Sequence, residues 1–265
     1  MRMDDMDKES IVKIYGDSDV DKARVDAIAS ATGATPVNQL SGTELTLHLS
    51  SGGLSLENNG LILKGDFTKM LSRLKPGNLN GEMLVKATRI KNAGKELTIV
   101  DATAGMGEDS LLLAAAGFKV KLYEYDKVIA ALLRDTMERA MKVPELCDIV
   151  SRMELFCENS IDALHNMTFR PDVVLLDPMF PERQKSGLIK KKFQLLQQLE
   201  SPCSDEDELL GAAIVAKPRK IVIKRPAKGP YLSGRKPDYS YPGKAIRYDC
   251  LVFANNATSQ NADNL

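Results

Sequence analysis

Nowhere in its 265 residues does the chain hold an apolar run long enough to cross a bilayer, which takes about 18 residues or more. The opening residues, Met1-Arg2-Met3-Asp4-Asp5-Met6-Asp7, are acidic and lack an apolar stretch, so no secretory signal is expected. Cysteine is sparse: Cys147, Cys157, Cys203 and Cys250 stand apart without a Cys-x-x-Cys pair, and His48 and His165 have no partner at metal-ligand spacing. Disulfide and zinc readings both fail, no metal is expected, and separated thiols without a signal suit a reducing cytoplasm. Net charge is also missing, with 36 Lys and Arg against 36 Asp and Glu. A zero total argues against a nucleic-acid partner until its distribution is read. Residues 183–247 hold 15 Lys and Arg but only 6 Asp and Glu, which suggests one basic face on a neutral molecule. With 43% hydrophobic residues the chain can bury a substantial core.

What is present centres on residues 100–109, Val-Asp-Ala-Thr-Ala-Gly-Met-Gly-Glu-Asp, which follow the apolar Leu97, Ile99 and Val100 and precede a helix-like stretch, Ser110–Gly117. Strand, tight glycine turn and helix, in that order, present backbone to a nucleotide-like ligand at the carboxyl end of the first strand of a doubly wound sheet. Gly105 and Gly107 lack a Cβ, so the chain turns sharply and a ligand approaches the backbone closely. A dinucleotide fingerprint calls for a third small residue at position 110, where Ser110 stands, while Asp101 stands four residues before Gly105. This Asp-x-x-x-Gly-x-Gly turn resembles the opening motif of S-adenosylmethionine (SAM)-dependent methyltransferases. A second strand, Lys119–Tyr123, ends at Glu124, seventeen residues after Gly107. A carboxylate at that strand tip is placed to accept hydrogen bonds from ribose hydroxyls, in NAD and SAM sites alike.

The third element discriminates. Val173–Leu176 reads as a buried parallel strand and delivers Asp177-Pro178-Met179-Phe180-Pro181. An Asp/Asn-Pro-Pro-aromatic tetrapeptide after the fourth strand marks methyltransferases of exocyclic base amines, and this string is similar, with Met179 in place of the second proline. Such an amine is a poor nucleophile because its lone pair is delocalised into the ring. Asp177 and the Pro178 carbonyl would hold its two hydrogens and turn the lone pair toward the sulfonium methyl. Proline supplies rigidity, and Phe180 offers a face on which the base stacks, worth about 1–3 kcal/mol.

The Asp177-Pro-Met-Phe-Pro string, followed by Gln184-Lys185-Ser186, by Lys190-Lys191-Lys192 and by Val222-Ile223-Lys224-Arg225-Pro226, closely resembles the RsmJ family. These are bacterial SAM-dependent methyltransferases acting on N2 of guanosine 1516 in 16S ribosomal RNA. The match extends to Asp101-Ala-Thr-Ala-Gly-x-Gly-x-Asp109 and to Ala130-Ala131-Leu132-Leu133, and covers residues 80–250 approximately. The resemblance implies SAM as cofactor, 16S rRNA or the 30S subunit as partner, and a cytoplasmic location. It also implies cofactor contacts at Glu108 and Asp109, Glu124 and Tyr125, Asn159 and Ser160, and Asp177, beside the motif's own Asp101, Gly105 and Gly107. Asp177 can serve cofactor and substrate together only by lying between them. The family commonly carries Arg at Glu108, His-Lys at Glu182-Arg183, and a glycine- and arginine-rich stretch where this chain has Pro76–Glu82. Lys185, Lys190, Lys191, Lys192, Lys224 and Arg225 read as candidate contacts to RNA phosphate.

The expected fold class is α/β, a Rossmann-like methyltransferase sheet that is mostly parallel with an antiparallel last strand, preceded by a small α+β lobe. The lobe takes residues 1–66, the methyltransferase domain 67–254 and a frayed tail 255–265. Within the lobe, strands are expected at Ile11–Tyr15, Glu44–Leu49 and Leu61–Lys64, with an Asn-Gly hairpin and a helix over Asp19–Ala31 capped by Asp19 or Ser18 and stopped at Gly33. Helices follow at Phe67–Leu74 and Gly81–Lys91, broken at Pro76–Asn80, and then strands and helices alternate as in a parallel sheet covered on both faces. Helices are expected at Val128–Met141, Ser160–Leu164, Gln184–Leu199 and Asp205–Val215. The last strands, Lys220–Lys224 and Ile246–Phe253, flank a long loop, Pro226–Gly243, of the kind that serves function or is disordered. Three other readings remain open at this level: an NAD-dependent dehydrogenase, a methyltransferase for DNA adenine or a protein glutamine amide, and a non-catalytic RNA-binding or ribosome-assembly factor. Ser110 and the Asp-Pro-Met-Phe motif weigh against the first.

Overall fold

In a computed structural model describing residues 12–91, 93, 96–178, 195, 199 and 206–253, the chain builds two sheets. Strands β1 (Lys13–Gly16), β2 (Thr35–Pro36), β3 (Thr46–Ser50), β4 (Gly53–Asn58) and β5 (Leu61–Leu63) form the first, in the order β2-β1-β3-β4-β5. Helix α1 (Lys22–Thr32) links β1 to β2. Asp21, rather than Asp19 or Ser18, caps it by accepting the Ala23 N–H at 2.9 Å, and Gly33 ends it at φ 75°. The β4–β5 hairpin turns through Asn59 (φ 49°) and Gly60 (φ 72°), the paired positive φ values that match the twist of flanking strands.

The second sheet holds β6 (Thr98–Asp101), β7 (Lys119–Tyr123), β8 (Met153–Phe156), β9 (Val173–Leu176), β10 (Lys220–Pro226), β11 (Tyr239–Pro242) and β12 (Ile246–Val252), in the order β11-β12-β10-β9-β6-β7-β8. Strands β6 to β10 are mutually parallel, whereas β12 is antiparallel to both β10 and β11. Strand order reverses at β6, which has β7 on one side and β9 on the other, and at such a switch point the crevice beyond the strand tips takes the ligand. The period of two sorts the core. Ile99, Val120, Leu122, Val173, Leu175 and Val222 face one apolar cluster, and Val100, Tyr123, Val174, Leu176, Ile221 and Ile223 face the other.

A 3-10 helix, Phe67–Met70, leads into α2 (Leu71–Leu74), and α3 (Pro76–Leu79), α4 (Met83–Thr88), α5 (Glu108–Ala115), α6 (Lys127–Ala140), α7 (Pro144–Val150), α8 (Ser160–His165) and α9 (Glu206–Val215) follow. Three expectations need correction. Pro76–Asn80 is no simple break but carries α3, because proline at a first helical position gives up an N–H that has no partner there. Helix α7 opens the same way at Pro144 and was not foreseen. The Pro226–Gly243 stretch is not a structureless loop: it holds the short 3-10 turn Leu232–Gly234 and the edge strand β11, so β11, not β12, ends the sheet. The expected Gln184–Leu199 helix lies outside the described residues except Leu195 and Leu199, both helical.

Helix α6 joins the two parts. Leu133 packs into the core of the seven-stranded sheet, while Val128 and Leu132 join the cluster of Ile14, Leu47, Leu49, Leu54 and Leu56 from the N-terminal sheet. Asp135, 3% exposed, pins the seam. Its Oδ1 accepts from Arg24 at 2.8 Å, and its Oδ2 accepts from the Leu54 N–H at 2.9 Å and from Arg139 Nε at 2.7 Å. Arg139 reaches on to the Gly65 carbonyl at 2.7 Å. Gly53, at φ 110°, lets the chain come this close, since a Cβ there would collide with Arg139 and Asp135.

Candidate active site

The tips of β10, β9, β6 and β7 lie side by side and are joined there by hydrogen bonds. From β6 the chain enters the turn Ala102–Gly107, whose last residue sits at φ 75° and opens α5. A Cβ at Gly107 would lie 2.6 Å from Leu133 Cδ1, so conformation and packing both require glycine. Asp101 braces this turn from below. It is 2% exposed, and its two oxygens accept from the Thr103 N–H at 3.2 Å and the Ser110 hydroxyl at 2.6 Å. Asp101, expected at the cofactor, here serves as a buried support of the turn. Ser110 gains its role from the same bond, and only the Asp101-to-Ser110 spacing across the turn hinted at it.

Burial raises the Asp101 pKa from 3.8 to about 7, with the Asp109 and Asp177 charges adding to the effect and the bonds from Ser110 and Thr103 opposing it. The native state thus holds a proton that the unfolded chain gives up. Stability from this group is complete below its unfolded pKa and is lost as pH rises through about 7. His48 acts with the same sign: burial lowers its pKa, but hydrogen bonds to Asp17 and Glu57 at 2.9 and 3.0 Å raise it further than that. The melting temperature of the ligand-free protein is therefore expected to fall between about pH 5 and about pH 8. Asp101→Asn should flatten that fall, and a wild-type melting temperature that climbs across the window would contradict it.

Glu124 follows β7 and is 8% exposed. Its Oε2 accepts from the Gly105 N–H at 2.9 Å and its Oε1 from the Asp126 N–H at 2.8 Å, so one carboxylate ties the glycine turn to the start of α6. Burial raises its pKa against the pull of those two N–H groups. Tyr125 beside it is 75% exposed. Asn159 caps α8 by accepting from the Ile161 N–H at 2.9 Å, and Ser160 is the first residue of that helix. Glu108 and Asp109 stand in the first turn of α5, where the helix dipole favours negative charge.

Asp177 leaves β9 beside β10. Its N–H donates to the Thr103 hydroxyl at 2.7 Å, and its Oδ2 accepts from Lys224 Nζ at 2.7 Å. The same ammonium donates to Asp109 Oδ2 at 2.7 Å. Burial raises the Asp177 pKa; Lys224 pulls it down and Asp109 pushes it up. Burial lowers the Lys224 pKa, yet the two carboxylates outweigh that and raise it. Tyr248, aligned with Lys224 across β10 and β12, is buried at the same place. Pro178 is buried, whereas Phe180, Lys185, Lys190, Lys191 and Lys192 lie outside the described residues.

The two cations expected at RNA phosphate, Lys224 and Arg225, make contacts within the protein. Lys224 points into the crevice and is spent on Asp109 and Asp177. Arg225 alternates to the opposite face and is 1% exposed; it donates to the Pro230 carbonyl at 2.9 Å and to Glu206 at 3.1 Å. Strand β10 lies between β9 and β12, so Arg225 is buried and Lys224 is partly so.

These residues fit a nucleoside donor carrying a sulfonium. Glycine backbone, a strand-tip carboxylate on β7, and an acidic surround of Asp109, Asp177 and Glu124 complement a ligand with positive groups near its reactive carbon. The fold and site define a SAM-dependent methyltransferase. The model of the SAM-dependent methyltransferase family matches residues 34–253. A solved SAM-dependent methyltransferase from Neisseria gonorrhoeae superposes with a TM-score of 0.73 at 30% identity, covering 94% of this chain and all of that one. The ribosomal RNA small subunit methyltransferase J of Thioalkalivibrio sulfidiphilus is 38% identical over 246 residues, 90% of this chain and 96% of that protein. That of Pseudomonas fluorescens is 36% identical over 254 residues, 93% and 96% respectively. The chain belongs to the ribosomal RNA small subunit methyltransferase J family, and SAM is its cofactor.

Proposed function

We propose that the protein methylates the N2 amine of guanosine 1516 in 16S ribosomal RNA, acting on RNA of the small subunit in the cytoplasm. The relatives' names specify small-subunit ribosomal RNA, and the family resemblance carried by Asp177-Pro178 specifies the amine. One observation carries the chemistry: Asp177 is anchored through its N–H and Oδ2 while its side chain keeps 36% of its surface open. An anchored and accessible carboxylate at a strand tip suits the orientation of an amine whose lone pair must be turned out of the ring.

SAM supplies an activated methyl group, so most of the acceleration falls to alignment. Asp177 accepts one amine hydrogen and the Pro178 carbonyl the other. The bound donor would supply the methyl group at its sulfonium, and Asp177, with water as the alternative, would take the proton that the methylated amine gives up. Glu124 receives the ribose hydroxyls, and Glu108, Asp109, Tyr125, Asn159 and Ser160 complete the cofactor contacts. A paired guanine must be extruded to reach the crevice. Lys228, Arg235, Lys236 and Lys244, which follow the tip of β10, are exposed and are the basic residues this reading sets against RNA.

In this reading the N-terminal lobe, whose described sheet packs against α6, also helps to hold RNA.

The test is mass spectrometry and primer extension of 16S RNA from cells lacking the gene, with and without purified protein and SAM. Restoration of N2-methylguanosine at position 1516 supports the reading; a methyl group restored elsewhere, or none, overturns it. Glu124→Gln should weaken SAM binding at least tenfold, about 1.4 kcal/mol, because an amide NH2 would face the Gly105 or Asp126 N–H. Calorimetry with an unchanged constant would contradict this.

A further inference from the structure

Lys224 sits between two carboxylates at the tips of the sheet strands. A lysine meant for RNA phosphate belongs in water, yet this one has 24% of its side chain exposed and two carboxylates at 2.7 Å. The three groups come from three elements, Asp109 from α5, Asp177 from the end of β9, and Lys224 from β10. No local sequence pattern brings them together.

We infer that Lys224 is a positioning residue for methyl transfer, whose ammonium bridges Asp109 and Asp177 and so holds the Asp177 carboxylate ionised and oriented toward the acceptor amine. This rests on the reading of Asp177 given above. The physical reason is competition between charges. Several other groups face this corner: Asp101 beneath it from β6, Glu108 and Asp109 on α5, Tyr248 from β12, Glu82 ahead of α4, and Arg73 from α2, which is paired with Glu82 at 2.8 Å. Apart from Lys224 and Arg73 these are acidic or neutral. Without Lys224, the partly buried carboxylates of Asp109 and Asp177 would confront each other with no cation between them, which favours uptake of a proton by one of them. A protonated Asp177 donates where it must accept, and its remaining oxygen is a weaker acceptor for the amine. An ammonium suits the task because it is a compact charge with three donors, two of which are engaged here.

The experiment is a pH–rate profile of 16S RNA methylation by the full chain, wild type against Lys224→Met and Lys224→Arg, from about pH 5.5 to about pH 9. Lys224→Met should lower kcat at neutral pH at least about tenfold while KM for RNA stays within about threefold. Its acidic limb should move upward by about 1 pH unit or more, the size of effect expected on losing an adjacent opposite charge. Lys224→Arg should bring the limb back toward its wild-type position. An unmoved limb, or a loss confined to KM for RNA and relieved at low salt, overturns the inference and returns Lys224 to phosphate binding. Should Lys224→Met fail to give a cooperative melt, Asp109→Asn provides the second arm. Removing that like charge should move the limb downward, and an upward or absent movement overturns the inference. A wild-type enzyme that makes no N2-methylguanosine sinks the proposed function instead, so the two failures read differently.

Discussion

Asp177→Ala is expected to lower kcat for methyl transfer by about 10³-fold, within the range that a positioned proton acceptor contributes, while calorimetry finds SAM affinity changed less than about fivefold. The asymmetry follows from how the residue is held. Its N–H bond to Thr103 belongs to the main chain and survives the substitution, so the strand tip keeps its path. Lys224 retains Asp109 at 2.7 Å. What disappears is the acceptor that turns the amine's lone pair out of conjugation, an interaction needed in the transition state more than in binding. Asp177→Asn should fall between the two, because an amide oxygen accepts a hydrogen bond but carries no charge for Lys224. Methyl incorporation from labelled SAM measures both, and an alanine variant retaining more than about a tenth of wild-type kcat would refute the role.

The largest effect on stability is expected at Asp135→Ala, about 3–5 kcal/mol, the usual cost of removing one partner from a buried charged network. Asp135 is 3% exposed and has bonds to Arg24, Arg139 and the Leu54 N–H. Among the described residues, its loss leaves the Arg139 guanidinium with neutral oxygens, those of Gly65 and Thr136, and takes the partner from the Leu54 N–H. The melting temperature should fall by about 10 °C or more, at the 2–4 °C per kcal/mol typical of chains this long. Because the network spans β4, α1 and α6, proteolysis should reach the N-terminal sheet first. A variant that melts within about 2 °C of wild type would show that the apolar seam of Leu54, Val128 and Leu132 carries the joint unaided.

Much of this protein is local enough to be read from its residues. The glycine turn is legible because positive φ and close packing at Gly107 demand one residue type. Strand β9 is legible because Val173–Leu176 is buried on both faces and so carries no polar alternation. The Asn59-Gly60 hairpin is legible because few residue pairs adopt two consecutive positive φ angles. By contrast β11, among prolines, glycines and charges at a sheet edge, is defined by its pairing with β12 rather than by its composition. Helices α3 and α7 are too short to display a periodic apolar face.

The amino-acid order by itself determined the class of chemistry: a turn that admits a nucleoside, a carboxylate at the second strand tip, and an Asp-Pro pair after the fourth strand. These are neighbours in sequence, and their meaning lies in backbone conformation and spacing. The duties of the charged side chains were decided only by tertiary structure. Asp101 became a buried brace, Arg225 an interior tie to Glu206, and Lys224 the bridge between Asp109 and Asp177, which are 115 and 47 residues from it along the chain. A charge interacts with whatever the fold brings within a few ångströms, and no sequence period encodes that distance.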